Sequence, residues 1–486
     1  MRARFASLLA GLALLADLTV LGGCTLGPRY QPPTPPAGAT APLVSLKPEA
    51  ESTAQPPDDW WRLYQDPLLD RYLDEAFTAN TDLRAAEANL SAARAVLEAS
   101  RAANYPATGL ETSATYGRDP TTDEILEVVG AKPQTIWLFD DVFDVSYELD
   151  LFGRVRRSIE ASKADAQAAE AGRDVFRITI AAETARAYAQ VCTLGEQLQV
   201  AHHSLDVVSR EEWITEQRHG AGANSEFDVV RAQALVAQAR SAIPPLEGQR
   251  RAALFQLTAL LGRTPAHAPT EAEACVTPPH LGALIPVGDG GALLKRRPDV
   301  RLADRRLASA TARVGVAIAD LYPRITLGGF YGGAALDTAD LTRNAGLIWG
   351  VGPKITWAFP NQIVPRARIK QAKAGADAAL AGFDGAVLQA LKESEQALAT
   401  YSSELDRRQA LAEAQERAQR AFDIAHSQFL AGSIPNLDLL TTEQTLIAAD
   451  AAVAASDTAL VQDQIAVFKA LGGGWKSGPP TPPRAG

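Results

Sequence analysis

Asp299-Val300-Arg301 opens an alanine-rich stretch that ends at Tyr322-Pro323, and an earlier stretch of the chain has the same form. Asp82-Leu83-Arg84 opens that earlier stretch, which ends at Tyr105-Pro106 at the same offset. A second constant offset relates later pairs: Lys163-Ala164 and Lys373-Ala374, Asp174 and Asp384, Glu183 and Glu393, Gly222 and Gly432, Asp228 and Asp438, and Leu261-Gly262 and Leu471-Gly472. An ordered series of matches with one change of spacing indicates an internal duplication.

The two repeats are assigned to residues 59–265 and 291–473, with a connector at 266–290. Each repeat is predicted to contain a helix, two extended segments joined by a loop, a very long helix, a turn and a closing helix. The predicted helix bounds in the two repeats are 67–104 and 291–321 for the first helix, and near 155–220 and 365–430 for the long one. A helix of that length would extend for about 100 Å. Pro244-Pro245 lies inside the first closing helix, which we expect it to interrupt and kink.

Small side chains dominate the apolar part of the composition. Hydrophobic residues make up 47% of the chain and aromatic residues only 6%, so closely packed alanine-rich helices fit better than a thick core. Apolar residues at heptad spacing predict coiled-coil packing in the second long helix: Leu391, Leu398, Tyr401, Leu405, Ala418, Phe422, Ala425 and Phe429. The net charge of −10 argues against nucleic acid as a partner. The composition excludes a nucleic-acid binder, a disulfide scaffold and a helical membrane transporter.

The amino terminus has the form of a lipoprotein signal peptide. Arg2 and Arg4 precede an apolar run that is too short to span a bilayer, and the run ends in Leu21-Gly22-Gly23-Cys24. This ending resembles a bacterial lipobox, in which cleavage leaves a lipidated cysteine as the first residue. The sequence predicts a signal peptide at 1–23 and lipidation of Cys24, and the alternative is an ordinary secretory signal with an incidental cysteine.

Proline-rich segments flank the two repeats. Residues 24–58 are predicted to form an extended strap, and residues 474–486 a disordered tail. The remaining cysteines, Cys192 and Cys275, lie far apart in sequence, and no metal-ligand spacing surrounds them. An oxidising compartment permits a bridge between them, although two such cysteines are more often unpaired, and the sequence leaves both alternatives open.

The extended segments carry a membrane signal. From Phe143 to Leu151, apolar residues alternate with acidic or small polar residues, as in a strand that faces lipid on one side and water on the other. Strands are predicted at about 107–117, 136–152, 324–332 and 347–359, with lipid-facing aromatic residues at Phe143, Tyr147, Trp349 and Trp357. The alternative is a half-buried sheet in a soluble domain, which alternation alone does not exclude.

Four strands cannot close a sheet on themselves, and an open sheet edge is not stable in lipid. Other copies of the chain must therefore complete the sheet. Two copies would supply eight strands, whose interior is filled by side chains, whereas three copies would supply twelve and leave an aqueous lumen. A conducting pore favours three copies.

These features together resemble the TolC-like outer-membrane factors, specifically their lipoprotein efflux branch. The resemblance covers nearly the whole mature chain, and its most specific motifs are Trp60-Trp61 with Asp66-Pro67, Asp150-Leu151-Phe152-Gly153-Arg154, Arg296-Arg297-Pro298-Asp299-Val300-Arg301 and Leu321-Tyr322-Pro323-Arg324-Ile325. It implies a mainly α fold with a small transmembrane β part. The duplicated unit would supply one third of a trimeric α-barrel and of a twelve-stranded β-barrel.

The resemblance also implies a function and partners. The protein would be a passive exit duct in the outer membrane, extending into the periplasm and conducting small toxic compounds or drugs. Its partners would be two further copies of itself, outer-membrane lipid, a periplasmic adaptor and an inner-membrane transporter of the proton-driven RND type. We expect no nucleic acid, cofactor or metal, and no catalysis. The alternatives are an exit duct for secreted polypeptides or metal ions, or a non-conducting lipid-anchored scaffold.

The turns at Gly222 and Gly432 are predicted to form the periplasmic tip. By resemblance, Asp228 and Asp438, just past these turns, are candidates for aperture-gating residues. A ring of such carboxylates, repeated by trimer symmetry, would bind cations and repel anions. The alternative for Asp228 is a capping box with Ser225.

Three further positions at the predicted tip depart from the TolC pattern. Thr441 stands where a second Asp is expected, and Ile434 stands where an Arg would help to lock the closed state. Phe429 replaces a Tyr of the same lock. Thr441 and Phe429 remain aperture candidates, and we expect the closed state to be held differently in this chain.

Overall fold

The computed structural model describes residues 25–474 except 46, 48–50, 53, 119–122, 125–126, 129, 131, 133–134, 282–283 and 345. The predicted signal peptide and the lipidation site at Cys24 lie outside the described residues. So does the predicted disordered tail, apart from its first residue.

Long helices dominate the described chain. The helices are α1 (Pro67–Ala79), α2 (Thr81–Ala102), α3 (Arg154–Gly220), α4 (Glu226–Leu260), α5 (Thr270–Glu273), α6 (Gly290–Arg296), α7 (Pro298–Ala319), α8 (Ile363–Leu430) and α9 (Asn436–Ala470). The strands are β1 (Glu51–Ser52), β2 (Ala107–Gly117), β3 (Ile136–Leu149), β4 (Ile285–Pro286), β5 (Arg324–Ala335) and β6 (Leu347–Thr356). The two long helices have 67 and 68 residues, as their uninterrupted alanine-rich sequences predict. Within the described residues, no helix combines the length and the apolar character needed to cross a bilayer.

The chain divides into two compact units. Within the described residues, the sheet unit contains residues 25–33, Leu90–Ala168 and Ala303–Phe383, and the helical unit contains Thr34–Asn89, Ala169–Leu302 and residues 384–474. Each of the two repeats contributes segments to both units. The duplication therefore places matching segments of the two repeats together within each unit.

In the sheet unit, the strands of the two repeats form one antiparallel sheet in the order β2-β3-β5-β6. β3 of the first repeat pairs directly with β5 of the second, with Phe143 opposite Tyr331. Gly332 makes this pairing possible, because a Cβ atom there would lie 2.1 Å from the carbonyl oxygen of Asp141. β2 and β6 are the two edges of this described sheet.

The first described residues of the chain are fixed beside the end of β3. The amide of Leu26 donates to the carbonyl of Phe152 at 3.4 Å. The buried Arg157 guanidinium donates to the carbonyl oxygens of Leu26 and Gly27, each at 3.2 Å, and pairs with Glu160 at 2.7 Å. A buried guanidinium needs such partners, so these contacts tie the strap to the start of α3.

The first helix of each repeat is interrupted, whereas the sequence predicts one continuous helix. In the first repeat, the Asn80 side chain accepts hydrogen bonds from the amides of Asp82 and Leu83 at 3.0 and 3.1 Å, which caps α2 and ends α1. In the second repeat, Arg297 separates α6 from α7, which begins at Pro298. Proline has no N–H to donate and suits a helix start, so the break follows from local chemistry.

The predicted interruption at Pro244-Pro245 is wrong. α4 continues through both prolines from Glu226 to Leu260. Each proline removes one backbone donor, but the remaining hydrogen bonds of this long helix carry it across the gap. The strong capping box at Ser225 also stabilises the start of α4.

The core of the helical unit surrounds Trp60. Its ring stacks on Phe468 with centroids 4.8 Å apart and contacts Trp61 and Tyr64 edge to face. Asp66 then caps α1 through the amides of Leu68 and Leu69 and accepts a hydrogen bond from the Tyr188 hydroxyl at 2.7 Å. The aromatic residues that enter the first repeat therefore join the strap to the helices of both repeats.

Cys192 and Cys275 form a disulfide, which decides between the two alternatives that the sequence leaves open. Their Cα atoms lie 4.8 Å apart across a sequence separation of 83 residues. The bond joins α3 to the connector of the helical unit. Sequence separation gave no sign of this proximity, because the connector folds back onto α3.

Replacing both cysteines by alanine should destabilise the helical unit. Without the disulfide, the unfolded chain has more conformational entropy, which lowers the free energy of unfolding by about 2–4 kcal/mol. The measurement is the midpoint of thermal unfolding of the purified protein at one scan rate, with and without reductant. Reductant should lower the midpoint of the wild type and leave that of the double variant unchanged. An equal response of both proteins would contradict a structural disulfide.

Candidate functional site

One face of the four-stranded sheet is apolar and exposed. The register aligns a row of side chains across all four strands: Leu110, Phe143, Tyr331 and Trp349. These four are 46% to 72% exposed. Partners in an antiparallel sheet project to the same side, so the row is continuous from one sheet edge to the other. An exposed apolar surface of this kind marks a contact with another hydrophobic phase or molecule.

Further rows extend this apolar face toward the helices. Tyr147 pairs with Leu327, and Leu149 lies opposite Ile325, which in turn pairs with Ile355. β6 ends at Thr356, before the predicted boundary at residue 359. Trp357 and Phe359 follow it as a stacked pair, and the Trp357 indole donates to the carbonyl of Leu321 at 2.9 Å.

Aromatic residues also lie at the opposite end of the same face. Tyr116 contacts Trp137, with ring centroids 5.1 Å apart, and Trp137 stacks on Phe139. Aromatic residues thus border the apolar rows at both ends. Such borders are typical of sheets that cross a membrane, where the rings lie at the two interfaces.

The other face of the sheet is more polar. In β3, Asp140, Asp144 and Glu148 project to this side, as the alternation predicts. Asp140 accepts a hydrogen bond from the Ser113 hydroxyl at 3.2 Å, and Glu148 pairs with Arg154. Phe330 is an exposed exception on the same face. The two faces therefore differ in polarity along most of the sheet.

In the helical unit, the turns that join α3 to α4 and α8 to α9 have the same geometry. Gly222 and Gly432 have positive φ angles of 77° and 74°. In each turn the glycine amide and the next amide bond back to carbonyls of the preceding helix: Gly222 to His219, Ala223 to Arg218, Gly432 to Phe429 and Ser433 to Gln428. This is a Schellman ending, which requires the left-handed conformation that glycine adopts without strain.

The two predicted gate carboxylates differ in their surroundings. Asp228 belongs to a capping box, since its carboxylate accepts from the Ser225 amide at 3.0 Å and hydroxyl at 2.7 Å. Asp438 follows Pro435, which offers no side-chain cap. Asp438 is exposed, and its carboxylate has no partner within the described part of the chain. Asp438 is therefore the more accessible of the two carboxylates for contacts outside this chain.

The other two aperture candidates also differ from each other. Thr441 is exposed, and its hydroxyl donates to the carbonyl of Leu437 at 2.7 Å. Phe429 is 2% exposed and packs with Leu439, Ala425 and Ile434. A ring buried in this way cannot line an opening of the isolated chain, so Phe429 acts through packing.

Arg218 on α3 is a residue of the tip that no sequence motif indicates. Its guanidinium lies over the Phe429 ring at 4.1 Å and donates to the Phe429 carbonyl at 3.2 Å. This cation–π contact holds the two turns of the tip together. An arginine on the other repeat thus contacts Phe429, whereas Ile434 occupies the position where an Arg was expected.

A buried polar cluster behind the tip also escaped sequence reasoning. Glu443 of α9 is fully buried, and neither of its carboxylate oxygens has a hydrogen-bond partner among the described residues. Burial, followed by the charge of Glu211, raises the pKa of Glu443 to about 8. Burial also raises the pKa of Glu211, although His426 and Arg218 lower it in part. A heptad pattern does not predict the burial of these acids, because a coiled coil normally places apolar residues at its buried positions.

The model of the outer membrane efflux protein family matches residues 72–263 and 291–473, which together make up more than half of the chain. This chain is an outer membrane efflux protein. The predicted resemblance and fold class are confirmed. Its location in the outer membrane is confirmed as well.

Curated relatives match this efflux protein over nearly its whole length. The pyoverdine export outer membrane protein OpmQ of Pseudomonas aeruginosa is 30% identical over 485 residues, which cover 96% of this chain and 97% of OpmQ. The outer membrane protein OprJ of the same species is 30% identical, with 96% of each chain covered. Members of the family are channel proteins.

Solved structures share the fold of this efflux protein. The outer-membrane channel OprN is 34% identical, has a TM-score of 0.84, and is matched over 93% of this chain and 100% of its own. The open state of the Neisseria gonorrhoeae MtrE outer membrane channel is 25% identical, with a TM-score of 0.81 and 93% and 99% coverage. Within the described residues of this efflux protein, no group of three or more His, Cys, Asp or Glu side chains could hold a metal ion.

Proposed function

We propose that three copies of this chain form the exit duct of a tripartite efflux assembly, through which small toxic molecules leave the cell. The observation that carries the proposal is the continuous row from Leu110 to Trp349, which is exposed on all four strands of one sheet. Burying this apolar row in lipid is favourable, whereas exposing it to water costs free energy. A non-conducting scaffold would have no use for this face.

The open edges of the sheet support three copies. β2 and β6 each present an edge whose backbone groups have no strand partner in the described chain. In lipid these groups must be paired, so β6 of one copy pairs with β2 of the next until the sheet closes. Three copies supply twelve strands, which is enough for an aqueous lumen.

The partners follow from the assembly in which the relatives take part. The proteins TtgC and ArpC of Pseudomonas putida, each 28% identical, are described as a toluene and an antibiotic efflux pump outer membrane protein. By analogy, this chain receives its substrate from a periplasmic adaptor and an inner-membrane pump of the proton-driven RND type. Lipidation of Cys24 anchors the chain, and the fixation of Leu26 and Gly27 beside the end of β3 supports an anchor at the membrane surface.

Asp438 is proposed to control the periplasmic opening. Three copies of this exposed carboxylate would form an acidic ring that attracts cations. Its lack of a partner within the described chain supports this role, and the capping box of Asp228 supports a structural role for the latter.

Asp438→Ala should shift the ion selectivity of the duct away from cations. Asp228→Ala is the matched control, because it removes the same charge from the corresponding helix start but should mainly cost about 1 kcal/mol of capping stability. The measurement is the reversal potential of purified protein in a planar bilayer under a salt gradient. Equal shifts for the two variants would remove the basis for singling out Asp438.

Cells that lack their own outer-membrane efflux channels provide the test of the proposed function. Expression of this chain with a cognate adaptor and pump should lower the accumulation of a fluorescent dye that the pump exports. Omission of the adaptor should abolish the effect, since the duct has no energy source of its own. Unchanged accumulation with all three components assembled in the envelope would contradict the proposal.

A further inference from the structure

Glu443 is a buried acid with no visible structural purpose. It lies on the same face of α9 as Asn436, whose amide donates to the buried Thr215 hydroxyl of α3 at 3.4 Å. Glu211 lies one turn before Thr215 on that face of α3. A polar seam thus runs between α3 and α9, and it ends in two carboxylates that are 0% and 5% exposed.

The two carboxylates differ in their partners. Glu211 contacts the His426 imidazole, with Oε1 and Nε2 3.3 Å apart, and the Arg218 charge also acts on it. Glu443 experiences only the like charge of Glu211, and within the described residues no charged group of α4 or α8 acts on it. Two neighbouring buried carboxylates do not both ionise, so one proton is shared by the pair. Because the Arg218 charge and the His426 imidazole act on Glu211 and not on Glu443, the shared proton resides mainly on Glu443.

We propose that Glu443 is a proton-operated latch that permits α9 to pack against α3 while it is protonated and loosens this packing when it ionises. The latch is a regulatory feature of the proposed duct and rests on that function. It would act at the tip because α3 ends at the first tip turn and α9 begins just after the second. Opening of the tip would expose Glu443 to water and release its proton.

The direction of the pH effect follows from linkage. A carboxyl whose pKa is raised to about 8 in the packed state, from an ordinary value of 4.5, binds a proton that the open state releases. The packed tip is therefore most stable below pH 4.5, and it is weakened progressively as the pH rises toward about 8. Above about pH 8, Glu443 is ionised in both states, so its contribution to the stability of the packed tip no longer changes with pH. Acidification of the periplasm would close the latch and alkalinisation would loosen it.

Hydrogen–deuterium exchange of the full-length protein in detergent tests the latch. The backbone amides of residues 436–446 are compared between wild type and Glu443→Gln at the same pH, so that the intrinsic pH dependence of exchange cancels. Between about pH 5 and about pH 7.5, exchange in the wild type should rise relative to the variant by up to about tenfold per pH unit. The exposed Glu416 offers a matched control, and Glu416→Gln should behave as the wild type does.

A constant ratio between wild type and Glu443→Gln across this range would overturn the latch. If Glu443→Gln does not fold, Glu211→Gln replaces it, since removal of the neighbouring charge should narrow the pH range over which exchange rises. An unchanged range in that variant would also overturn the latch. Hydrogen exchange can be measured whether or not the protein conducts. If the protein conducts but the ratio of exchange rates between wild type and Glu443→Gln does not change with pH, only the latch is refuted. If the ratio of exchange rates changes with pH but the protein does not conduct, only the proposed duct function is refuted.

Discussion

Val351→Arg should prevent the protein from accumulating as an assembled channel in the outer membrane. Val351 is 75% exposed and lies in the middle of β6, on the face that carries Trp349 and Ile355. A lipid-facing arginine near the midplane costs about 2–4 kcal/mol in a membrane sheet. Because each of three copies would carry the charge, the cost is incurred three times. Quantitative blotting of outer-membrane fractions, run without heating to preserve the oligomer, measures the loss.

Gly352→Arg is the matched control for Val351→Arg. The two residues are adjacent in β6 and therefore project to opposite faces of the sheet. A Cβ atom at Gly352 would meet no other atom within 4 Å, so the larger side chain has space. This variant should assemble at close to the wild-type level, since its charge would face water. Equal loss of both variants would indicate a general folding defect, and normal assembly of Val351→Arg would refute a lipid-facing sheet.

Trp60→Ala should destabilise the helical unit by about 3–5 kcal/mol. The indole is 1% exposed, stacks on Phe468 near the end of α9 and contacts Trp61 and Tyr64. Removing it leaves a cavity where the entry to the first repeat meets the end of the second. The measurement is the unfolding midpoint of the purified protein at a fixed scan rate, together with the yield of folded protein.

Trp213→Ala controls for the loss of a tryptophan as such. Trp213 is 62% exposed on α3 of the same unit, and its removal should change stability by less than about 1 kcal/mol. Comparable drops in the midpoint for Trp60→Ala and Trp213→Ala would show that the stacked cluster is not the core of this unit. A large drop for Trp60→Ala alone is the expected result.

The sequence predicted the elements that depend on period and repetition. Alternation from Phe143 onward indicated a two-faced strand, because residues two apart share a face whatever the strand pairs with. The pairing itself, with Phe143 opposite Tyr331, depends on contacts between the two repeats and was not predictable. The long helices followed from alanine-rich segments, and the turns from Gly222 and Gly432.

The features that escaped prediction depend on single side chains in tertiary contact. Asn80 ends a helix by capping the next one, although asparagine also occurs within helices. Cys192 and Cys275 approach each other only because the connector folds onto α3. The resemblance indicates Asp438 as a gate residue, but only the fold shows that its side chain is exposed. The sequence around Glu443 predicts an exposed polar side chain, but its carboxylate is buried between helices.

Single-channel recording of the purified wild-type protein in a planar lipid bilayer shows whether this chain forms a conducting duct. We expect discrete, long-lived conductance steps from the trimer, with a preference for cations because the opening is acidic. Gly352→Arg, which assembles, should give steps of altered size because its charge would enter the lumen. Protein that inserts as a trimer but shows no conductance at any applied voltage would contradict the claim that this chain forms a duct.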